Sequence, residues 1–437
     1  MTARQPLTRV LALLAALALA AAACGDGDDG EEAGGGTTST TAGGSAAQPG
    51  ASVDGVLKLG ALLPQTGNLA QFGPAMQAAV QLAVDDINAA GGVLGQDVVL
   101  VSADSGTDAD IANTAAERFL SAENVDGIIG AAASGVTLLG VIGPTVGARR
   151  VECSGSTTSP LFNDFEDDGL FFRTAPTDFF QSELLADSIT ADGFSSVAIA
   201  NRADDYGQAL ADATAAELED AGAEVVTQVA FDPDGSNFDA DVARLASANP
   251  DAVVLIAFPE EGAQVLNAMV EQGVGPADLP IYVTDGLASD DLAASVDPND
   301  LAVLNGMKGS RPSTEVPGDF GARLTTAAGT GTLTFGPQFY DCTVIVALGA
   351  VAAGSDDPEL IADQINDVTR QGTACSTFEE CKGLLDDGED IDYEGVTSFD
   401  FDDSGEPERG VYDLYEFVDG KLTVTDTVTL EKEGGQR

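Results

Sequence analysis

Short apolar segments alternate with amphipathic helical segments along most of this chain, and this alternation limits the fold more than any other feature. Residues 56–63 are a nearly continuous apolar run, typical of a buried strand. Apolar residues then recur at helical spacing over 72–87, with Pro74 in the first turn and a Gly-Gly pair after the last. Because strands that alternate with helices form parallel sheets covered on both faces, the pattern predicts an α/β protein.

The alternation falls into two blocks, one ending near residue 149 and the other beginning at 171. The predicted strands are 56–63, 97–102, 125–130, 171–174, 196–200, 224–230, 252–257 and 280–284. The predicted helices are 72–87, 109–122, 134–149, 178–191, 206–221, 237–248 and 260–272. Beyond residue 307 we expect helices at 338–353 and 358–370 and a meander of short strands over 396–431. A chain of 437 residues is too long for one ordinary core, so two or three domains are expected.

A hydroxyl-rich stretch, Cys153-Ser-Gly-Ser-Thr-Thr-Ser-Pro160, follows a short apolar step at Val151. Its glycine and proline forbid a long regular element, which places it as a loop at the carboxyl end of a strand. Ligands of open α/β sheets sit at those ends, and hydroxyls with free backbone N–H groups suit a carboxylate. Ser134 follows a preceding strand in the same way. Turn and helix capping alone is the competing explanation, and the clustering favours binding.

The first residues have the pattern of an export signal. Arg4 and Arg9 precede an apolar run, Leu11 to Ala23, which is too short to span a bilayer. Ala21-Ala-Ala-Cys24 resembles the lipobox of bacterial lipoproteins, in which the cysteine is lipidated. We expect a signal peptide at 1–23 and a lipid-anchored flexible linker at 24–53, rich in Gly, Ser, Thr and acids. The protein would be extracytoplasmic and membrane-anchored through Cys24.

Charge argues against two classes of partner. The formal net charge is −54, from 72 acidic and 18 basic residues. Such an excess of carboxylates disfavours nucleic acid and anionic membrane surfaces. Adaptation to a saline habitat, where salt screens the self-repulsion, and a generally acidic exported protein explain the charge equally well.

The chain contains no histidine, which excludes Ser–His and Cys–His catalysis and any His-ligated metal. No G-x-S-x-G elbow and no phosphate-binding P-loop is present, and no lysine lies in the candidate binding motifs. Export favours disulfides among the four cysteines left after Cys24. Cys375 and Cys381 can close a small loop, which leaves Cys153 with Cys342. A zinc site is the rival, but no C-x-x-C unit is present.

Six short motifs together resemble the solute-binding proteins of branched-chain amino acid type uptake systems, over about 57–415. They are Leu59-Gly-Ala-Leu-Leu-Pro-Gln-Thr-Gly67, Ala83-Val-Asp-Asp-Ile-Asn-Ala-Ala-Gly-Gly92, Ile128-Ile-Gly-Ala-Ala-Ala-Ser134, Ser154-Gly-Ser-Thr-Thr-Ser-Pro160, Asp205-Tyr-Gly207 and Val283-Thr-Asp-Gly286. The resemblance implies the type 1 periplasmic binding fold, in which two Rossmann-like lobes are joined by three crossing strands and bind ligand in the cleft. The crossings would fall near 172–178, 305–312 and 396–402. Lobe 1 would comprise 54–175 and 308–398, and lobe 2 would comprise 176–307 and 399–437.

The resemblance also implies roles for single residues in the first lobe. Ser134 would bind the carboxylate of the ligand at a helix start, where unpaired N–H groups and partial positive charge favour an anion. The carbonyl oxygen of Ser156 would accept from an ammonium, and Thr158 would donate to the carboxylate. Phe72 stands where relatives often have tyrosine, which removes a hydroxyl from the site.

The second lobe would supply three residues. Tyr206 matches a tyrosine that reaches into the cleft, and Asp285 matches an acidic residue that pairs with the ammonium. Phe258, like Phe72, replaces a common tyrosine, so the pocket should be less polar than in well-known members of the family. We therefore expect capture of a small amino acid, branched-chain or similar, and its delivery to the permease of an ABC importer.

Two alternatives remain open from the sequence. One is a binder of a short amide, urea or carboxylate, including an aromatic acid, for the same kind of transporter. The other is a ligand sensor that reports to a signalling partner. We expect no cofactor, no metal, no enzymatic activity and a monomer.

Overall fold

The computed structural model describes residues 53–402 and 404–432. The expected signal peptide, the lipidation site Cys24 and the linker up to residue 52 lie outside the described residues. The described residues belong to one compact unit that contains two large sheets.

The first sheet has five parallel strands in the order β2-β1-β3-β4-β5. They are β1 Lys58–Leu63, β2 Val99–Asp104, β3 Gly127–Gly130, β4 Val151–Ser154 and β5 Phe171–Arg173. The helices that follow these strands along the chain are α1 Gly73–Ala89, α2 Ala109–Arg118, α3 Ser134–Val136 and α4 Ile142–Gly147. The single helix predicted at 134–149 is interrupted by a π-helical turn, Thr137–Val141, and α2 continues into another, Phe119–Glu123.

The second sheet has seven strands in the order β14-β13-β10-β9-β8-β6-β7. They are β6 Ser196–Arg202, β7 Glu224–Phe231, β8 Ala252–Ile256, β9 Ile281–Val283, β10 Lys308–Pro312, β13 Arg409–Val418 and β14 Lys421–Glu431. Strands β6 to β10 pair in parallel, as predicted, and β13 pairs antiparallel with β10 and β14. The associated helices are α5 Asp178–Ala191, α6 Asp205–Asp220, α7 Asp239–Ser247, α8 Pro259–Glu271 and α9 Leu292–Val296.

The remaining elements pack mostly on the first sheet or on α1. They are α10 Phe320–Ala328, α11 Gly336–Ala353, α12 Pro358–Ile365, α13 Phe378–Asp386, β11 Thr373–Cys375 and β12 Ile391–Tyr393. Short 3₁₀ turns occur at Pro160–Phe162, Asp285–Leu287 and Leu301–Leu304. By length and composition α11 could cross a membrane, but it is 83% buried inside the protein, as expected of a core helix.

The meander of short strands predicted over 396–431 is wrong, because this region forms one long hairpin. Strands β13 and β14 are joined at Asp419-Gly420, both with positive φ (50° and 79°), which is the geometry of a tight hairpin turn. The Asp-Gly pair was the sequence signal for this turn.

The chain passes between the two sheets three times: after β5, after β10 and before β13. Strand β10 lies wholly in the second sheet, so the second crossing follows Pro312. The boundary between lobe 2 and lobe 1 was expected earlier, at residue 308. The exact lobe boundaries stay a prediction.

Both expected disulfides are present. Cys153 of β4 is bonded to Cys342 of α11, with Cα atoms 5.8 Å apart. Cys375 is bonded to Cys381, with Cα atoms 5.4 Å apart. The first bridge fixes the strand that leads into the hydroxyl-rich loop against the core helix α11.

Candidate functional site

The hydroxyl-rich loop is held against the end of β3 by its own side chains. The hydroxyl of Ser154 donates to the carbonyl oxygen of Ala131 (2.6 Å), and that of Ser156 donates to Ala132 (2.8 Å). Gly155 permits the close approach of α11, because a Cβ there would lie 2.6 Å from the backbone nitrogen of Phe339. The hydroxyl of Ser156 is therefore committed to the backbone.

Ser134 opens α3 at the carboxyl end of β3. Its hydroxyl accepts from the backbone nitrogen of Ser159 (3.3 Å) and makes no capping bond to its own helix. The first backbone N–H groups of any helix lack partners inside that helix, and they carry partial positive charge. The buried hydroxyl-rich loop and this helix start thus present hydrogen-bond donors on one side of the site.

The opposite side is formed by residues attached to the second sheet. The hydroxyl of Tyr206 donates to Asp285 Oδ1 (2.6 Å), which also accepts from the backbone nitrogen of Gly286 (2.8 Å). The rings of Tyr206 and Phe258 stack with centroids 5.3 Å apart and planes inclined by 19°. This side therefore offers a carboxylate at the edge of an aromatic wall.

Six of the seven ligand residues expected from the sequence line one cavity. They are Ser134, Ser156, Thr158, Tyr206, Phe258 and Asp285. The cavity holds about 290 Å³ of unfilled space, of which only about 10 Å³ admits the centre of a water-sized sphere, the room of roughly one water. The two sides of the site are therefore closed upon each other.

Phe72 was expected to contact the ligand, but it does not line the cavity. It is fully buried at the start of α1 and packs edge-on against Phe335, with ring centroids 6.4 Å apart. Phe335 lines this end of the cavity in its place, together with Leu69 and Met76. Phe72 thus supports the apolar end of the site from behind.

Phe335 was missed by the sequence reasoning. Its φ of +65° lies in the left-handed region, which is unusual for a bulky residue. The next residue, Gly336, lies against Leu324. A Cβ at Gly336 would be only 2.7 Å from the Leu324 side chain, so a glycine is needed for this close packing. Nothing in the local sequence separates Phe335 from the other phenylalanines that fill the core.

Asp178, the first residue of α5, was also missed. It is completely buried, and among the described residues neither of its carboxylate oxygens has a hydrogen-bond partner of ordinary geometry. Burial and the negative charge of Asp285 raise its pKa well above the usual value, against the pull of Thr158 and Arg173. In the sequence it is one more acid in the first turn of a helix, a common position that signals nothing about ligands.

Asp285 is the carboxyl group that lines this side of the cavity, and Asp178 lies outside the lining but close enough for the two charges to interact. Burial raises the pKa of Asp285 to about 6, although Tyr206 and Gly286 donate to it. Burial and these two carboxyl groups raise the pKa of Tyr206 well above its usual value, so its hydroxyl remains a donor. An unpaired buried carboxylate is costly, so the arrangement favours a ligand that brings a positive charge.

A model of the periplasmic binding protein family matches residues 56–381, most of the chain. The chain belongs to this family. Leu/Ile/Val-binding protein homolog 2 of Brucella abortus (strain 2308) is 27% identical over 378 residues, which cover 84% of this chain and 91% of that protein. A chemotactic signal transduction system substrate-binding protein of Halobacterium salinarum is 26% identical over 350 residues, 78% of this chain and 81% of that protein.

Solved structures share the fold of this periplasmic binding protein. A branched-chain amino acid transporter substrate-binding protein of Streptococcus pneumoniae, in complex with isoleucine, has a TM-score of 0.70 and 21% identity, and the match covers 86% of this chain and 100% of that one. A solute-binding protein of an ABC transporter from R. palustris, in complex with 4-hydroxybenzoate, has a TM-score of 0.67 and 18% identity, with coverage of 87% and 98%. At these identities the likeness shows the type 1 periplasmic binding fold.

The family assignment settles the broad class of function. The chain is a binding protein of the Leu/Ile/Val-binding type, and its relatives and structural neighbours are solute-binding proteins rather than enzymes. Membership implies an extracytoplasmic location and an ABC transporter context. Within the described residues no group of three or more acidic or sulfur side chains could hold a metal ion.

Proposed function

We propose that this periplasmic binding protein captures a small apolar amino acid as its zwitterion and delivers it to an ABC importer. The observation that carries the proposal is the division of one cavity into two sides. Hydroxyls and a helix start lie on the side of the first sheet, and the buried carboxyl group of Asp285 lies on the side of the second. A ligand with a carboxylate and an ammonium on one carbon satisfies both sides.

The donor side would take the ligand carboxylate. Thr158 and the N–H groups at the start of α3 offer donors, and the hydroxyl of Ser134 lies beside them. The helix start adds partial positive charge. Charge-assisted hydrogen bonds of this kind are among the stronger contacts that a protein offers.

The acidic side would take the ligand ammonium. Asp285 offers a carboxylate that Tyr206 and Gly286 already orient. The carbonyl oxygen of Ser156 would add a second acceptor from the loop. An ammonium has three N–H donors, so it can use both acceptors.

The remaining wall sets the side chain of the ligand. Leu69, Met76 and Phe335 line the cavity with apolar groups, and Phe258 presents a ring where a tyrosine would add a hydroxyl. This wall favours an aliphatic side chain. The closed cavity has room for roughly one water, so entry of a ligand requires the two sides to separate, as in hinge closure around a ligand.

The lipid anchor belongs to the same proposal. Asp356 accepts from the backbone nitrogens of Asp54 (2.8 Å) and Gly55 (2.7 Å) just before β1. The chain preceding β1 therefore joins the amino edge of the first sheet, and the cavity lies at the carboxyl edge. A linker anchored at Cys24 would leave the binding face accessible to a permease, with the protein acting as a monomer.

A ligand sensor is the second candidate, because the Halobacterium salinarum relative is a chemotactic substrate-binding protein. An aromatic acid is a weaker candidate, although the R. palustris neighbour holds 4-hydroxybenzoate. A monoanion with no cationic group would lie near the buried carboxyl group of Asp285 and leave it unpaired.

Calorimetry with truncated ligands tests the proposal. L-Leucine, L-isoleucine and L-valine should bind, whereas 4-methylpentanoate, which lacks the ammonium, and isopentylamine, which lacks the carboxylate, should bind much more weakly. Binding of 4-hydroxybenzoate in preference to every amino acid would contradict the proposal. Loss of uptake on deletion of a co-encoded permease, without loss of chemotaxis, would decide for transport over sensing.

A further inference from the structure

Arg202, the last residue of β6, is buried behind the aromatic wall of the cavity and does not line it. Its guanidinium carbon lies 3.5 Å from the ring centroid of Phe258. Tyr206 stacks on the same ring at 5.3 Å. At these distances both groups cannot share one face, so Phe258 is held between the tyrosine ring and the guanidinium.

The guanidinium also contacts the two carboxylates that begin the neighbouring helices. Its Nε donates to Asp204 Oδ2 (2.7 Å), and Asp204 caps α6 through the backbone nitrogen of Gly207 (2.9 Å). Its Nη1 donates to Glu261, which also accepts from the backbone nitrogen of Phe258 (2.7 Å). One side chain therefore joins the start of the helix that carries Tyr206 to the start of the helix that Phe258 precedes.

The residue that packs against Arg202 is a glycine, which leaves room for the arginine side chain. A Cβ on Gly207 would lie 2.3 Å from the carbonyl oxygen of Arg202 and 2.4 Å from its Cγ, so only glycine leaves room there. The chain has few basic residues, 18 against 72 acidic ones, and it nevertheless leaves Arg202 only 5% exposed. A planar guanidinium can stack on a ring and bond to carboxylates in two directions, which the compact ammonium of lysine cannot do.

We propose that Arg202 is a positioning residue of the binding cavity: it fixes Phe258 and, through that ring, the tyrosine hydroxyl that donates to Asp285. The inference rests on the proposed function, because it requires that the ligand contact the wall formed by Tyr206 and Phe258. Arg202 acts from behind the wall and does not touch the ligand.

The test is a double-mutant cycle between Arg202→Lys and Tyr206→Phe, with L-leucine as the probe. Arg202→Lys keeps the charge beside Glu261 and removes the stacked plane. We expect the dissociation constant to rise roughly tenfold, the scale of one desolvated cation–π contact. In the Tyr206→Phe background, where no hydroxyl reaches Asp285, the same substitution should change it less than about twofold, since the two changes act through one contact.

A second readout needs no ligand. The chain has six tyrosines and no tryptophan, so the tyrosine band of near-ultraviolet circular dichroism is free of indole signal. Arg202→Lys should weaken this band in the wild-type background and leave it unchanged in the Tyr206→Phe background. If L-leucine and its analogues fail to bind the wild-type protein, the proposed function fails, and the spectroscopic cycle still decides the role of Arg202.

Arg150→Lys is the matched control for lost stability. Arg150 is 1% exposed and donates to the carbonyl oxygens of Val125 and Ala148, at the amino edge of the first sheet. It should lower the melting temperature without changing the tyrosine band or the affinity. Should Arg202→Lys not fold, Arg202→Gln replaces it in the same cycle. Equal effects of the Arg202 substitution in both backgrounds, or no effect in either, would overturn the proposal.

Discussion

Replacing Asp285 by asparagine separates the charge of this carboxylate from its hydrogen bonds. Asp285 is 2% exposed, and its Oδ1 accepts from the hydroxyl of Tyr206 and the backbone nitrogen of Gly286. An asparagine Oδ1 can keep both bonds, so the fold should survive. The substitution removes the negative charge that we assign to the ligand ammonium.

The size of the effect follows from what remains in the site. Removing one partner of a buried ion pair costs about 3–5 kcal/mol. Asp285 is the one carboxylate in the cavity lining, so we expect a loss of about 3–5 kcal/mol, or roughly a hundredfold to several thousandfold in affinity. Asp178→Asn should change the affinity less, because Asp178 does not line the cavity, and the two substitutions should be non-additive because the two carboxyl groups interact.

Isothermal titration calorimetry with L-leucine measures the change, and circular dichroism with thermal melting checks the fold. Asp126→Asn is the matched control: Asp126 is equally buried but bonds to the backbone nitrogen of Lys58, away from the cavity. It should leave affinity unchanged. Undiminished binding of L-leucine by Asp285→Asn would remove Asp285 from the site, and tighter binding of a neutral amide would make the amide class the better assignment.

Three further results are expected. Burial raises the pKa of Asp285 and of Asp341 to about 6 each, so the folded state holds more protons than the unfolded state between about pH 4 and 6. In ligand-free thermal melts the contribution of these two groups to stability should therefore fall as the pH rises through this window. A contribution that rises, in comparison with the Asp285→Asn and Asp341→Asn variants, would contradict the assignment. Non-reducing peptide mapping should recover Cys153 joined to Cys342, and a free thiol at either position would refute that bridge. Cys24→Ser should release the protein into the medium or leave it unprocessed, and unchanged membrane association would refute the lipid anchor.

Most of the fold could be predicted because the hydrophobic periodicity of each element agrees with its final state. Helix α1, for example, occupies Gly73–Ala89, close to the range 72–87 predicted from its apolar spacing. The failures have local causes. The helix at 134–149 is interrupted by a π-helical turn, and the Asp-Gly pair at 419–420, with positive φ at both residues, forms a tight turn that joins two long strands.

The site could be predicted only where a motif marks it. Ser156 and Thr158 stand out because hydroxyls cluster in one loop, and Asp285 stands out in a short motif. Phe335 carries no such mark, because its role depends on a left-handed backbone conformation that the sequence alone does not reveal.

Asp178 shows why a second class of residue escapes sequence reasoning. Asp285, with which its charge interacts, lies more than a hundred positions away in the chain, and only the folded arrangement of the elements around the second sheet brings the two carboxyl groups near each other. Taken singly, each is an ordinary acid at the start of a helical turn. Burial and the negative charge of Asp285 raise the pKa of Asp178, and this effect depends on the distance between the two residues in the folded protein, which neither residue reveals by its place in the sequence.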